Sequence, residues 1–408
     1  MKQHSNKNNP IKGYQRSMKN IQIHSLTSLR FFAALMVFFS HLDFLRIHTD
    51  TAGNPDKYQD IYNTWFYEGY SGVTFFFILS GFILAHSYQD RLVNHTTATT
   101  DFFIYRIARI IPLHWLTLLL AIFLLRTSND NYDFFSTSSF LANALLLQAW
   151  FSDINIAFSY NLVSWSLSDE MFFYAMFPLL IRLNTKVLIA IFILLIACIL
   201  TWLPITLPFA TFHLPRFTDL TKYYAYWFPA FRIGDFLAGI ILYRAWSAYK
   251  TIPSLLASIL QGASIVLLVL FYAYHSGIDE TLRFDFYYAI PMAFLIFVFA
   301  YSNGVFARMI SNRLMLILGE ASFAFYMIHQ LELYQIGHRL VRYNDTLLEW
   351  FYITDHPEYA VCIHLGISVI FSLALFFLFE RPAQRIFQQG LFGIKNMVIR
   401  AKYKLTRA

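Results

Sequence analysis

Charge is what this sequence lacks most. Asp, Glu, Lys and Arg make up only 13% of its 408 residues, about half the share of a soluble domain. So little charge cannot cover the surface of a water-soluble protein of this size, which excludes a soluble globular fold. Cysteine is nearly missing. Cys198 and Cys362 both sit in apolar runs, which excludes a disulfide framework and a zinc-ligand spacing, and no metal is expected. The first 25 residues are polar and basic, with no short apolar run ending in a small-residue cleavage site. A cleaved signal peptide is therefore not expected, and the first apolar segment, near Leu29 to Leu45, is retained. Internal repeats are missing too, which counts against the inverted-repeat plan common among transporters.

What is present is apolar and aromatic. Hydrophobic residues reach 57%, mean hydropathy is +0.48, and aromatics reach 19% with 26 Tyr and 8 Trp. Amphipathic rings suit the two faces of a bilayer. Runs of the length a helix needs to cross predict ten spans, at 28–46, 70–88, 108–126, 169–183, 186–203, 230–246, 256–275, 286–302, 315–336 and 360–380. The fold class expected is all-α, a polytopic transmembrane helical bundle. Phe140 to Phe151 is apolar but too short to cross, and reads as an interfacial or re-entrant helix.

Loop charge orients this bundle. The N-terminal tail, the even-numbered connections and the C-terminal tail together carry 20 Lys/Arg and 2 Asp/Glu, against 8 and 16 on the other side. The excess of Lys/Arg marks the cytoplasmic side, so both termini are expected there. The net charge of +7 is thus topological, and no nucleic-acid partner is expected. The chain divides into a cytoplasmic tail (1–25), a membrane domain (26–383) and a basic, amphipathic tail (384–408) suited to an anionic membrane surface.

Nine charges remain within or at the ends of spans: Arg30, Asp43, Arg109, Glu170, Arg232, Asp235, Glu320, Glu332 and Glu380. His41 and His329 join them. A charge at mid-bilayer costs at least ~2.5 kcal/mol, so such groups face a cavity or a partner. Arg232 and Asp235, three apart on one helix, read best as an ion pair. Arg30 and His41 are eleven residues apart, within ~20° of three full turns, and share one face with the His ~16 Å further along. Arg106 and Arg109 share a face at the cytoplasmic mouth of the third span. Their plain reading is positive-inside anchoring. Two guanidinium groups on one face also suit a phosphate-bearing ligand. Ser166 or Ser168 could cap the fourth span with Asp169 and Glu170 in its first turn. Glu170 and Tyr174, four apart, would face inward together. Glu320 and His329 lie on Leu318 to His329, and Glu380 with Arg381 closes the last span, where interfacial anchoring is the plain reading.

These segments together resemble the acyltransferase-3 family of bacterial membrane acyltransferases, over nearly the whole chain. Ser28 to Leu35 through His41 resembles its opening Leu-Arg…His pattern. Gly72-Val73-Thr74-Phe75-Phe76-Phe77-Ile78-Leu79-Ser80-Gly81-Phe82 resembles its second-span signature. Arg106, Arg109 and Pro112 match its paired-arginine motif, and Trp165-Ser166-Leu167 with Glu170 and Tyr174 its fourth. The chain departs from the pattern at Phe31, Thr74 and His114.

The resemblance implies an acyl group, usually acetyl, passed from cytoplasmic acyl-CoA, as donor substrate rather than bound cofactor, to a hydroxyl of a glycan or lipid-linked sugar. The setting implied is the bacterial inner membrane, with its lipids. Acceptors range from O-antigen, capsule, exopolysaccharide and peptidoglycan sugars to small secreted metabolites. On this reading His41, Glu170 and Arg30 are the catalytic candidates and Arg106 and Arg109 bind acyl-CoA. Trp165, Ser166, Tyr174, Ser80 and His329 serve the acceptor or support the site. His41 acts as general base, since imidazole titrates near working pH, or as a covalent acyl carrier. A flippase for a lipid-linked glycan is the competing reading, because intramembrane charges also mark transport paths.

Overall fold

The computed structural model describes residues 22–46, 54–125, 136–211, 222–333 and 356–406. No strand occurs among the described residues. Helix is the form in which an apolar segment satisfies its own backbone groups. In chain order the principal helices are α1 (His24–Ser40), α2 (Gly72–Val93), α3 (Thr99–Leu125), α4 (Thr137–Ala144), α5 (Trp165–Leu180) and α6 (Thr185–Thr211). They continue with α7 (Pro229–Ala248), α8 (Ser254–Ala273), α9 (Tyr288–Phe299), α10 (Arg313–Glu320), α11 (Ser322–Leu331), α12 (Pro357–Leu375) and α13 (Arg381–Leu405). Local chemistry sets several starts. Pro229 and Pro357 open α7 and α12, where their missing N–H costs nothing. Ser136 and Asn312 cap α4 and α10 through their side chains.

Over the described residues, each of the ten segments expected from hydropathy falls mainly on helix. Among the described residues, five helical stretches are long and apolar enough to cross a membrane by themselves: Lys57–Val93, Thr99–Leu124, Tyr223–Ala248, Ser254–Ala273 and Pro357–Tyr403. The pair α10–α11, bent by 59°, makes a sixth if taken as one span. His24–Ser40, Thr185–Thr201 and Tyr288–Phe299 are apolar but shorter, and α5 has 16 residues. Among the described residues, helix length and apolarity alone thus single out five or six candidate crossings, and the expected count of ten depends on the shorter apolar helices as well. The tail before residue 22 and the ends of the expected spans 108–126 and 315–336 lie outside the described residues.

The segment expected to be interfacial is a short helix, α4, followed by a single-turn 3₁₀ helix at Gln148–Trp150. It is tied to α3 by His114 Nε2 donating to the Asn143 carbonyl at 2.8 Å and Trp115 Nε1 to that of Ala144 at 3.0 Å. Leu141, Leu145 and Leu147 stay exposed.

Close approach holds the centre. A Cβ on Gly81 would stand 2.0 Å from the Phe236 carbonyl oxygen, and one on Gly239 2.0 Å from that of Ile78. The backbones of α2 and α7 meet where only glycine fits, the contact small residues permit inside membranes. Beside this crossing lies the expected Arg232–Asp235 pair, 3.0 Å apart with both side chains buried. Arg232 also donates to Thr74 Oγ1 at 2.9 Å and stacks over Phe77.

The last helix differs from a loose tail. A π-helical turn at Phe376–Glu380 joins α12 directly to α13. α13 runs antiparallel to α3, with Phe387 against Trp115, Phe392 against Tyr105, and Lys395 paired with Asp101.

Candidate active site

Inside the bundle is a cavity of about 630 Å³. Helices α1, α2, α3, α5, α10, α11 and α13 and the π-turn contribute to its wall. Of the residues singled out from sequence, it gathers Arg30, Ser80, Arg106, Arg109, Ser166, Glu170 and Tyr174. These come from four helices and are up to 144 positions apart in the chain.

Positive charge dominates this wall. Arg30, Arg106, Arg109, Arg381 and Arg385 face three carboxylates, Glu170, Glu320 and Glu380. Most of the carboxylates are already engaged. Arg381 pairs with Glu320 and lies over the rings of Phe376 and Phe377. Arg109 stands 4.0 Å from Glu380, whose other oxygen is buried without a hydrogen-bond partner. Glu170 Oε1 accepts from Ser80 at 3.3 Å and from the hydroxyl of Tyr174. Arg106 donates to the Tyr88 hydroxyl at 3.4 Å and lies over the rings of Tyr88 and Tyr174. Arg30 makes no hydrogen bond or ion pair within the described residues, so its guanidinium is available to a ligand. The expected face-sharing of Glu170 with Tyr174, and of Arg106 with Arg109, is realised.

Ser166 and Tyr326 form the far wall. Their hydroxyls lie 2.8 Å apart, and both reach the Val163 carbonyl oxygen, at 3.0 and 3.1 Å. Phe76 packs edge-on against Tyr326.

Three expected residues do not line the cavity. Trp165 is buried against Phe77, Phe158 and Tyr226, where it packs α5 in place. His41 and His329 lie beyond the wall, since the His329 ring neighbours that of Tyr326, with centroids 6.0 Å apart. His41 is the C-cap of α1, so the helix carries it on from Arg30 as expected. Its Nδ1 lies 2.8 Å from the Val37 carbonyl oxygen and 3.3 Å from His329 Nε2. His329 Nδ1 lies 3.1 Å from the Phe325 carbonyl oxygen. A carbonyl only accepts, so each Nδ1 carries the proton. The proton on His41 Nδ1 is then shared between Val37 and His329. The lone pair of His41 Nε2 is left for a proton from outside the pair.

Sequence reasoning missed several members. Gln384, Arg385 and Gln388 were read as tail, although the i, i+3, i+4, i+7 spacing from Arg381 marks a helical face. Glu380 and Arg381 were read as anchors. Asp169 was read as a first-turn acid. It is fully buried next to the cavity wall, with neither oxygen hydrogen-bonded.

The comparisons with known proteins agree on the chemistry. The family model described as an acyltransferase domain matches residues 23–381. Acyltransferase MdmB of Streptomyces mycarofaciens is 30% identical over 335 residues, covering 79% of this chain and 81% of that protein. The protein named "Putative acetyltransferase ORF330", from Acidianus two-tailed virus, is 29% identical over 239 residues, 56% of this chain and 62% of its own length. No solved structure matches. Membrane-length helices around a charge-lined cavity, with the family match and these relatives, define an enzyme of acyl transfer. The chain belongs to the acyltransferase-3 family, and it is an O-acyltransferase.

Proposed function

We propose that the protein takes an acyl group, acetyl by default, from acyl-CoA on the cytoplasmic side of the bacterial inner membrane. It passes that group to a hydroxyl of a cell-envelope or exported glycan. The observation that carries this reading is the convergence of five arginines on one cavity within an otherwise charge-poor bundle. Coenzyme A is a polyanion, and guanidinium groups are the residues that grip phosphate. The loop charges favour the Arg106 end as the cytoplasmic one, with both termini on that side.

His41 is the base in this scheme. Its Nε2 accepts the proton of the sugar hydroxyl as that oxygen attacks the thioester carbonyl. The C–S bond then breaks, and the CoA thiolate leaves and takes up a proton. Arg30 steadies the charge on the thioester oxygen or a phosphate. Glu170, held by Ser80 and Tyr174, orients the acceptor. The alternative is that His41 Nε2 itself takes the acyl group and passes it on, which a labelled acyl-enzyme trapped during turnover would reveal.

The test uses the full-length protein in nanodiscs, with free thiol released from acetyl-CoA as the readout. Wild type should release thiol in the presence of acceptor. His41→Ala should abolish release and remain monodisperse. Arg106→Ala and Arg109→Ala should raise the KM for acetyl-CoA. Wild-type rates in His41→Ala would refute the base, and unchanged KM in both arginine variants would return them to membrane anchoring.

A further inference from the structure

The family match ends at Arg381, yet the cavity wall does not. Arg381, Gln384, Arg385 and Gln388 all line it. Along a helix these positions fall within an arc of ~100°, so α13 turns one polar face to the cavity. Further along, the same face carries Phe392 and Lys395, which hold α13 to Tyr105 and Asp101 of α3. The helix is thereby clamped across the cavity rather than leaning on it loosely.

The four polar side chains on this face are not equivalent. Arg381 is committed to Glu320. Arg385 is exposed and has no ion pair or hydrogen bond within the described residues. Gln388 is only 4% exposed, lines the cavity, and likewise has no hydrogen-bond partner there. The side chain is buried as a whole while its amide atoms stay open to the cavity, where a ligand can supply the partner they lack. An unpaired guanidinium one turn away on the same face adds an anion site's charge to that amide's donors.

We propose that Arg385 and Gln388 bind a phosphate monoester, and that this group is the 3′-phosphate of the acyl-CoA donor. The assignment rests on the acyl-CoA reading above. The nucleotide end of coenzyme A is its bulkiest and most hydrated part, so it stays at the open end of the cavity while the thioester goes deep. Arg385 is the most exposed of the cavity arginines without a carboxylate partner. A monoester carries about −1.5 to −2 charge at pH 7, which suits a cation no carboxylate neutralises. The pyrophosphate, one link further in, falls to Arg106 and Arg109. α13 thus distinguishes coenzyme A from shorter pantetheine thioesters. A lipid headgroup phosphate offers the same chemistry, since Ile386, Ile394 and Met397 on the opposite face of α13 are exposed and apolar.

The experiment compares acetyl-CoA with acetyl-3′-dephospho-CoA on the nanodisc-embedded full chain, in wild type, Arg385→Ala and Gln388→Ala. One charge-assisted hydrogen bond corresponds to about a tenfold or greater change in binding. Wild type should show a KM about tenfold lower for acetyl-CoA than for the dephospho donor. Arg385→Ala should bring that ratio close to one by raising KM for acetyl-CoA alone, and Gln388→Ala should move it in the same direction. Weakening of both donors equally would assign Arg385 to a lipid phosphate or to general attraction, and would overturn the proposal. So would equal KM values for the two donors in wild type, while leaving the acyl-CoA reading intact. Binding of neither donor to wild type, read by calorimetry on the nanodisc-embedded chain without any acceptor, would overturn both.

Discussion

Glu380 allows a prediction whose sign is not obvious from its position. Its carboxylate is 2% exposed and stands 4.0 Å from Arg109, on the wall of the cavity where acyl-CoA is proposed to bind. At that distance and an effective dielectric of about 20, the gross attraction is about 4 kcal/mol. The arrangement restrains Arg109 but also competes with any phosphate for it. A phosphate oxygen on the far side of the guanidinium would stand roughly 7 Å from the carboxylate, a repulsion of about 2 kcal/mol per unit charge at the same dielectric. Arg109 is partly open to solvent, and screening reduces the net effect to about 1 kcal/mol. Glu380→Gln keeps the shape and removes the charge. It should therefore lower the KM for acetyl-CoA about fivefold, with a smaller gain at high ionic strength. The assay is thiol release against donor concentration at low and high salt. A KM that rises, or stays within twofold of wild type in a protein that remains monodisperse, would refute the reasoning. The carboxylate would then be a positioning group for Arg109 rather than a competitor.

Other consequences concern the scaffold and the wall. Arg232→Ala should destabilise the fold by about 3–5 kcal/mol, because it leaves Asp235 and its neighbour Asp169 as buried carboxylates. The double variant Arg232→Met/Asp235→Leu should recover much of that loss, and thermal unfolding in detergent checks both. Gly239→Val should abolish the monodisperse fraction, since its Cβ would fall 2.0 Å from the Ile78 carbonyl oxygen. Gly234→Ala on the same helix meets nothing within 4 Å and should leave that fraction unchanged. Phe76→Ala removes a ring from the wall between the cavity and the His41–His329 pair. It should raise turnover of butyryl-CoA relative to acetyl-CoA, and an unchanged ratio would mean that the acyl group does not pass that point.

Much of the cavity wall was legible because its signals are local. Arg30, Arg106, Arg109, Glu170 and Tyr174 are charges or hydroxyls set in apolar runs, and helical periodicity states which of them share a face. Arg232 with Asp235 was legible for the same reason. Helix count was less so. Hydropathy finds apolar segments, but α1, α5 and α9 are short. The bend at Ala321 between α10 and α11 depends on packing that composition does not express. The close crossing of α2 with α7 is likewise written in two glycines 158 positions apart, each unremarkable alone.

The sharper failure lies at α13, and it follows from how a membrane chain is read. A fall in hydropathy after Glu380, with basic residues following, marks the end of a span, and the positive-inside rule accounts for the arginines as anchors. Both inferences concern the backbone path and say nothing of where the side chains lie. The helix continues through a π-turn instead of ending, so Arg381, Gln384, Arg385 and Gln388 come back over the cavity formed by α1, α3 and α5. The same arginines can satisfy the topological rule and line a binding site, because a membrane protein that takes a polyanion from the cytoplasm needs positive charge on that side for both purposes. Charge bias at such a mouth is therefore weak evidence for anchoring alone. Pairing discriminates better: Arg381 has its carboxylate, whereas Arg385 has none, and it is at Arg385 that donor discrimination should be lost.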